Sequence, residues 1–255
     1  MVADPLVGQV DDKLQELNQR IKEFFDKVNE VLSWVPEAFV HLIEPIQRGM
    51  EVVKQKIQEF WAKIQQAWNQ PGNSAVLRLK AEMWASGVAN PIGDVAGDVA
   101  LHNLDANVEW TGRAAEAYKA IVPAQADGLT GLKDLALQIR NSLNSLANAL
   151  DAFKLALYVA IAVFIVGVVG AVAAACTIVG AGAAIGAIAT GVSVAIGLIT
   201  AAITAVNSYL DVIETEQTAL TQKIRDVGSA WSRSDRDLSD GSVSDGDGSD
   251  WRVNR

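Results

Sequence analysis

Between Lys154 and Asp211 the chain carries no Asp, Glu, Lys, Arg or His, and no other feature restricts its fold as much. One bilayer span needs about 20 apolar residues, so Leu155–Leu210 has room for two spans and a turn. Apolar surface on this scale has to leave water, either into a helical bundle or into lipid. The midpoint of the segment falls on Gly180-Ala181-Gly182, its most flexible point. This predicts two equal arms folded back on each other, with Gly180, Gly182 and Gly186 at the tip and Lys154 and Asp211 meeting at the base.

A second pattern lies within the arms. In the second arm Gly186, Thr190, Ser193, Gly197, Thr200, Thr204 and Asn207 recur in alternating steps of four and three, a stripe of small and weakly polar residues. In the first arm Ala156, Ala160, Gly167, Gly170 and Ala174 keep the same rhythm, with Val163 the larger residue in register. Small stripes let helix backbones approach closely where lipid leaves no hydrophobic gain between helices. The stripe Thr190, Ser193, Gly197, Thr200 and Thr204 is therefore expected to pack arm against arm or to face an aqueous lumen. The first arm holds eleven Leu, Ile, Val or Phe residues between Leu155 and Cys176. At typical insertion energies these favour entry into a membrane by about 3–7 kcal/mol. Neither end of the segment has a Lys/Arg cluster or a tryptophan belt, which a settled integral protein would show.

The flanking sequence reads as helix throughout. Val10, Leu14, Leu17, Ile21, Phe24, Val28, Val31 and Val35 form a heptad seam that Trp34-Val35-Pro36 ends. Pro45 is expected in the first turn of the next helix, whose face carries Val53, Ile57, Phe60, Ile64 and Ala67 and which stops at Asn69-Gln70-Pro71-Gly72. A third helix starts near Ser74, breaks or kinks at Asn90-Pro91-Ile92-Gly93 and resumes through Val95, Leu101, Leu104 and Val108. After Trp110-Thr111-Gly112 the helical pattern returns, tolerates Pro123 and becomes a clean heptad from Leu129 to Phe153 that runs into the apolar segment. Val206, Leu210, Ile213, Gln217, Leu220, Ile224, Val227 and Trp231 repeat that seam on the far side. The fold class is all-α: an elongated antiparallel helical bundle with a long helical hairpin carrying an apolar tip. Its expected segments are an N-terminal helical hairpin (1–72), a middle helical region (73–154), the apolar hairpin (155–210), a returning amphipathic helix (211–231) and a disordered acidic tail (232–255).

Composition narrows the function. A formal net charge of -9 with no basic cluster argues against a nucleic-acid partner, because phosphate neutralisation needs a concentrated basic face. The single cysteine, Cys176, is flanked by Ala175 and Thr177, brings no activating cation and reads as a small buried apolar residue. His41 and His102 have no second ligand at metal spacing, and Asp245-Gly246-Asp247-Gly248-Ser249-Asp250 lacks the twelfth-position glutamate of a calcium loop. No nucleophile elbow, phosphate loop or zinc pattern is present, so neither enzyme activity nor a cofactor or metal is expected. The residues from Met1 to Gly8 form no secretory signal peptide.

Trp110-Thr111-Gly112, followed by Arg113-Ala114-Ala115-Glu116-Ala117-Tyr118, fits the run W-x-G-x-A-A-x-A-[FY]. It resembles the Trp-x-Gly family of substrates of the type VII (ESX) secretion system, over roughly Ser74 to Phe153. The resemblance implies export without a signal peptide, helical-hairpin pairing with itself or with a Trp-x-Gly partner, and Trp110, Gly112 and Tyr118 as the secretion motif. The glycine permits a tight turn that the two aromatic rings can anchor. The family's export signal, a tyrosine followed four residues later by an acid, is missing, since Tyr118, Tyr158 and Tyr209 are followed there by Val122, Ala162 and Ile213. Larger members carry toxin domains after the helical part, whereas here a short acidic tail follows, so no enzymatic cargo is implied.

Two readings come out of the sequence ahead of a third, an integral membrane protein of the producing cell. In one, the chain is a secreted, oligomeric, pore-forming or otherwise membrane-active protein whose hairpin meets membrane lipid. In the other, it is a soluble secretion scaffold or partner-binding protein whose arms are buried in the bundle.

Overall fold

The computed structural model describes residues 4–37, 40–69, 72–230 and 252–253, and it is helical almost throughout. The elements are α1 (Pro5–Ser33), α2 (Val40–Trp68), α3 (Ser74–Trp84), a π-helical turn (Ala85–Ala89), α4 (Asn90–Asp98), a 3-10 turn (Leu101–Asn103), α5 (Ala106–Glu109), β1 (Trp110–Thr111), α6 (Arg113–Ala174), α7 (Ile178–Ala230) and β2 (Arg252–Val253). Two compact units share the chain. One comprises Met1–Ala75 with Leu146–Leu210, and the other Val76–Ser145 with Asp211–Arg255.

In the first unit, α1 and α2 bury their seams on one face of the apolar hairpin. Val10, Leu17, Ile21, Phe24, Val28 and Val31 of α1 are buried, as are Val53, Ile57, Phe60 and Ile64 of α2. Their partners are Leu157, Ala160, Ile161, Phe164 and Val168 on α6 and Ile185, Ile188, Val192, Ala195 and Ile199 on α7. The rings of Phe60 and Phe164 meet edge to face at 5.2 Å, which joins α2 to the centre of the hairpin. Each large side chain removed from water here contributes about 1.5–3 kcal/mol, so the shared core outweighs any local helix preference. The N-terminal hairpin and the apolar hairpin thus form one four-helix body. Trp68 Nε1 donates to Asp11 at 2.8 Å across the antiparallel α1–α2 pair.

Several expectations change. Pro45 lies inside α2, which begins at Val40, and not in its first turn. The Asn90–Gly93 break takes the form of the π-turn: the Asn90 N–H bonds back to the Ala85 carbonyl, five residues earlier, just before Pro91. The wider turn accommodates the proline ring without ending the helix. The hairpin turn is Ala175-Cys176-Thr177, and Gly180, Gly182 and Gly186 all lie within α7. Local capping decides this, since the Thr177 hydroxyl accepts the Gly180 N–H at 3.0 Å and starts α7. Gly180 is nevertheless required there, because a Cβ on it would overlap the Ala174 carbonyl oxygen. Cys176, in the turn, is exposed and not buried.

The second unit has a thinner core. Ala81, Ala85, Ala89, Ala96, Ala114, Ala115 and Ala136 supply most of it, with Val122 and Leu135. Here α6 and α7 continue side by side, with Ser142 bonded to Glu216 and Lys223 Nζ donating to Gln138 at 3.2 Å. Leu210 and Ile224 of the returning seam are exposed. Of the segment 232–255, expected to be disordered, only Arg252 and Val253 are among the described residues. They pair antiparallel with Thr111 and Trp110.

Substitution at the tip separates the two glycines. Gly180→Ala is expected to lower stability by about 1–3 kcal/mol through overlap with backbone. Gly182→Ala, with open space around it, is expected to raise stability by about 0.5–1 kcal/mol as an ordinary helical replacement. Thermal melts of the two variants check this, and equal effects would contradict the turn at 175–177.

Candidate functional site

The helical rise of about 1.5 Å per residue makes the charge-free part of α6, residues 155–174, about 30 Å long, the thickness of a bilayer's hydrocarbon core. One face of it is buried under α1 and α2. The other presents Leu155, Val159, Val163, Val166 and Val169 in helical steps, all exposed, with Val166 at 72 %. On α7, Val179, Val194 and Leu198 are exposed, Val179 at 85 % at the start of the helix. Lone exposed apolar residues are ordinary, but a stripe of five on a charge-free stretch of helix is not.

The small-residue stripe of α7 lies away from the core. Thr190, Gly197, Thr200 and Thr204 are exposed and Ser193 is half-buried. Arm-to-arm packing through this stripe does not occur. The larger side chains Ile185, Ile188, Val192 and Ile199 take the inner face, because they bury more apolar area against α1, α2 and α6. The hydroxyls are satisfied within their own helix: Thr190 donates to the Gly186 carbonyl at 3.0 Å, Thr200 to Ile196 at 2.8 Å and Thr204 to Thr200 at 3.0 Å. Ser193 bonds to the Ala189 carbonyl and also accepts from Lys56 Nζ at 2.9 Å.

Of the two residues expected at the base, Lys154 belongs to the first unit and Asp211 to the second. With the turn at 175–177 the arms are unequal, and Asp211 is exposed in the second unit. Lys154 is fully buried and paired with Asp4, and its Nζ donates to the Gly72 carbonyl at 3.0 Å. Asp4 also caps α1, accepting the Leu6 N–H at 3.1 Å, while Ser74 Oγ lies 3.4 Å from its second oxygen. Burial pushes the Asp4 carboxyl up. The hydrogen bond and charge of Lys154, with the backbone N–H groups of Leu6 and Ser74, outweigh it and hold the pKa below the ordinary 3.8. Asp4 was not among the residues singled out from the sequence, although an Asp before Pro5 is a cap signal, and nothing local marks its partner 150 positions away.

The structure brings Trp110, Gly112 and Tyr118 together. Gly112 has φ +108°, a conformation only glycine adopts without strain, and turns the chain from β1 into α6. Its carbonyl accepts the Glu116 N–H at 3.1 Å, and the rings of Trp110 and Tyr118 lie 5.6 Å apart. The helix before the motif is the four-residue α5. Among the described residues no three His, Cys, Asp or Glu side chains are grouped to hold a metal ion. The chain matches no protein-family model, no curated protein and no solved structure.

Because the Asp4 pKa is depressed in the folded chain, the stability it contributes is complete above its unfolded value and lost as pH falls through the folded one. Denaturant midpoints should therefore hold the Asp4 contribution down to about pH 4 and lose it below. Asp4→Asn should remove that component and cost about 3 kcal/mol at neutral pH, since it strands a buried cation. An unchanged acid limb in the variant would refute the assignment.

Proposed function

We propose that this is a secreted helical protein that associates with or inserts into membranes through the hairpin Leu155–Leu210, acting as an oligomer. The observation that carries the reading is the uncovered face of α6, where Leu155, Val159, Val163, Val166 and Val169 lie exposed along a bilayer's thickness of charge-free helix. The two helices are long and apolar enough to cross a membrane, and only 39 % and 33 % of their most apolar stretches is buried. A soluble core helix of this length would be covered on more of its circumference. Hydroxyls bonded to their own helix suit α7 to the same setting, because lipid supplies no partner for a free donor.

The export route rests on the Trp-x-Gly resemblance alone. Trp110, Gly112 and Tyr118 form a compact turn-and-ring cluster compatible with it, and a Trp-x-Gly partner or a second copy is the partner it implies. The second reading, a soluble scaffold, is favoured by one observation: α1 and α2 already cover half of the hairpin. In that case the open face receives another protein chain.

A fluorophore on Cys176, the single and exposed cysteine, reports whether the hairpin turn enters lipid. The labelled chain should shift its emission to the blue on mixing with vesicles and should release an entrapped dye. The double substitution Val159→Asp and Val166→Asp should abolish both responses while leaving stability within about 1 kcal/mol, as expected for exposed sites. Neither shift nor leakage from the parent chain at any pH or lipid composition would refute the membrane reading.

A further inference from the structure

Lys154 is the only fully charged side chain in the buried set of the described residues, and it stands at the last position before the charge-free hairpin begins. Three parts of the chain converge on its Nζ: the start of α1 through Asp4, the connection between α2 and α3 through the Gly72 carbonyl, and α6 itself. We infer that the Asp4–Lys154 pair is an autoinhibitory clasp that holds α1, and α2 with it, over the hairpin. Its purpose rests on the membrane reading above, but its action is measurable in water.

Contacts such as Phe60 against Phe164 are apolar and without direction, and lipid tails replace them at little loss. A ligand or membrane shifts a conformational equilibrium only through what differs between the two states. The ion pair, like the Lys56–Ser193 hydrogen bond between α2 and α7, is a contact that hydrocarbon cannot reproduce, so it favours the closed state selectively. Stability alone does not call for it, because an apolar residue in place of a buried pair is often as good or better. Asp4 also begins the helix that covers the hairpin, so loss of the pair frees α1 at its first turn.

The two partners respond differently to substitution, which makes the clasp testable. Asp4→Asn keeps a good helix cap but strands the Lys154 cation in the core with one carbonyl for a partner. Lys154→Met fills the same space without charge and leaves the Asp4 carboxylate on the N–H groups of its own helix, where the dipole favours it. The experiment uses the full chain. Amide hydrogen exchange over α1 is followed in detergent-free buffer, and dye release from vesicles of equal phosphatidylcholine and phosphatidylglycerol is followed beside it.

Asp4→Asn should exchange over α1 about a hundredfold faster than the parent, and should release dye faster. Lys154→Met should be at or below the parent in both. The double variant, with a capped α1 and an apolar core, should return to slow exchange, which distinguishes release of α1 from general misfolding. Parent-like exchange in Asp4→Asn, equal opening in Lys154→Met, or a double variant as open as Asp4→Asn would each overturn the clasp. If Asp4→Asn frees α1 and no variant acts on vesicles, the clasp stands and the membrane reading falls.

Discussion

Helices α1 and α2 each have one apolar face, and the charge-free stretch of α6 and α7 offers the surface that buries both. The first unit depends on this docking. Its centre is the edge-to-face contact of Phe60 and Phe164, with Leu17, Phe24, Ile57, Leu157 and Ile188 in the same cluster. Two amphipathic helices cover only part of the circumference of two wholly apolar ones. The remainder, from Leu155 to Val169 on α6, is left facing outward as a geometric consequence of the first contact.

Much of this was legible where the signal is local and periodic. The seam from Val10 to Val31 buries as its spacing requires, and α1 stops at Ser33, just before Trp34-Val35-Pro36. The face Val53, Ile57, Phe60 and Ile64 of α2 is equally direct. The turn of the hairpin was misplaced because its expected position rested on where charge ends, whereas a helix begins where a cap can form. Thr177, three residues before Gly180, carried the correct signal. The small stripe misled for a different reason. A close approach between α6 and α7 is open to small residues, but the same face of α7 is contested by α1 and α2, and burial of isoleucine and valine against the other three helices wins.

Long-range pairing was out of reach. Lys154 was singled out as the edge of the apolar segment, but its partner is set by the way α1 lies along α6, and no short-range pattern encodes that. Pro45 and Pro91 show the converse limit. Each marks a place where a helix is weakened, yet tertiary packing and, for Pro91, a π-turn carry the helix through. In the second unit the alanine-rich core offers weaker periodic information, and Ile224 remains exposed despite falling in a regular seam. The Trp110–Tyr118 cluster is local and was therefore readable, down to the need for glycine at position 112.

The first unit is built from two separated segments, residues 1–75 and 146–210, with residues 76–145 of the second unit between them. On a ribosome the seams of α1 and α2 emerge well before the apolar stretch of α6 and α7 that buries them. Non-local closure of this kind is slow, and apolar faces that wait in solution are prone to aggregate. Synthesis therefore leaves the apolar faces of α1 and α2 without their covering partners until α7 has emerged.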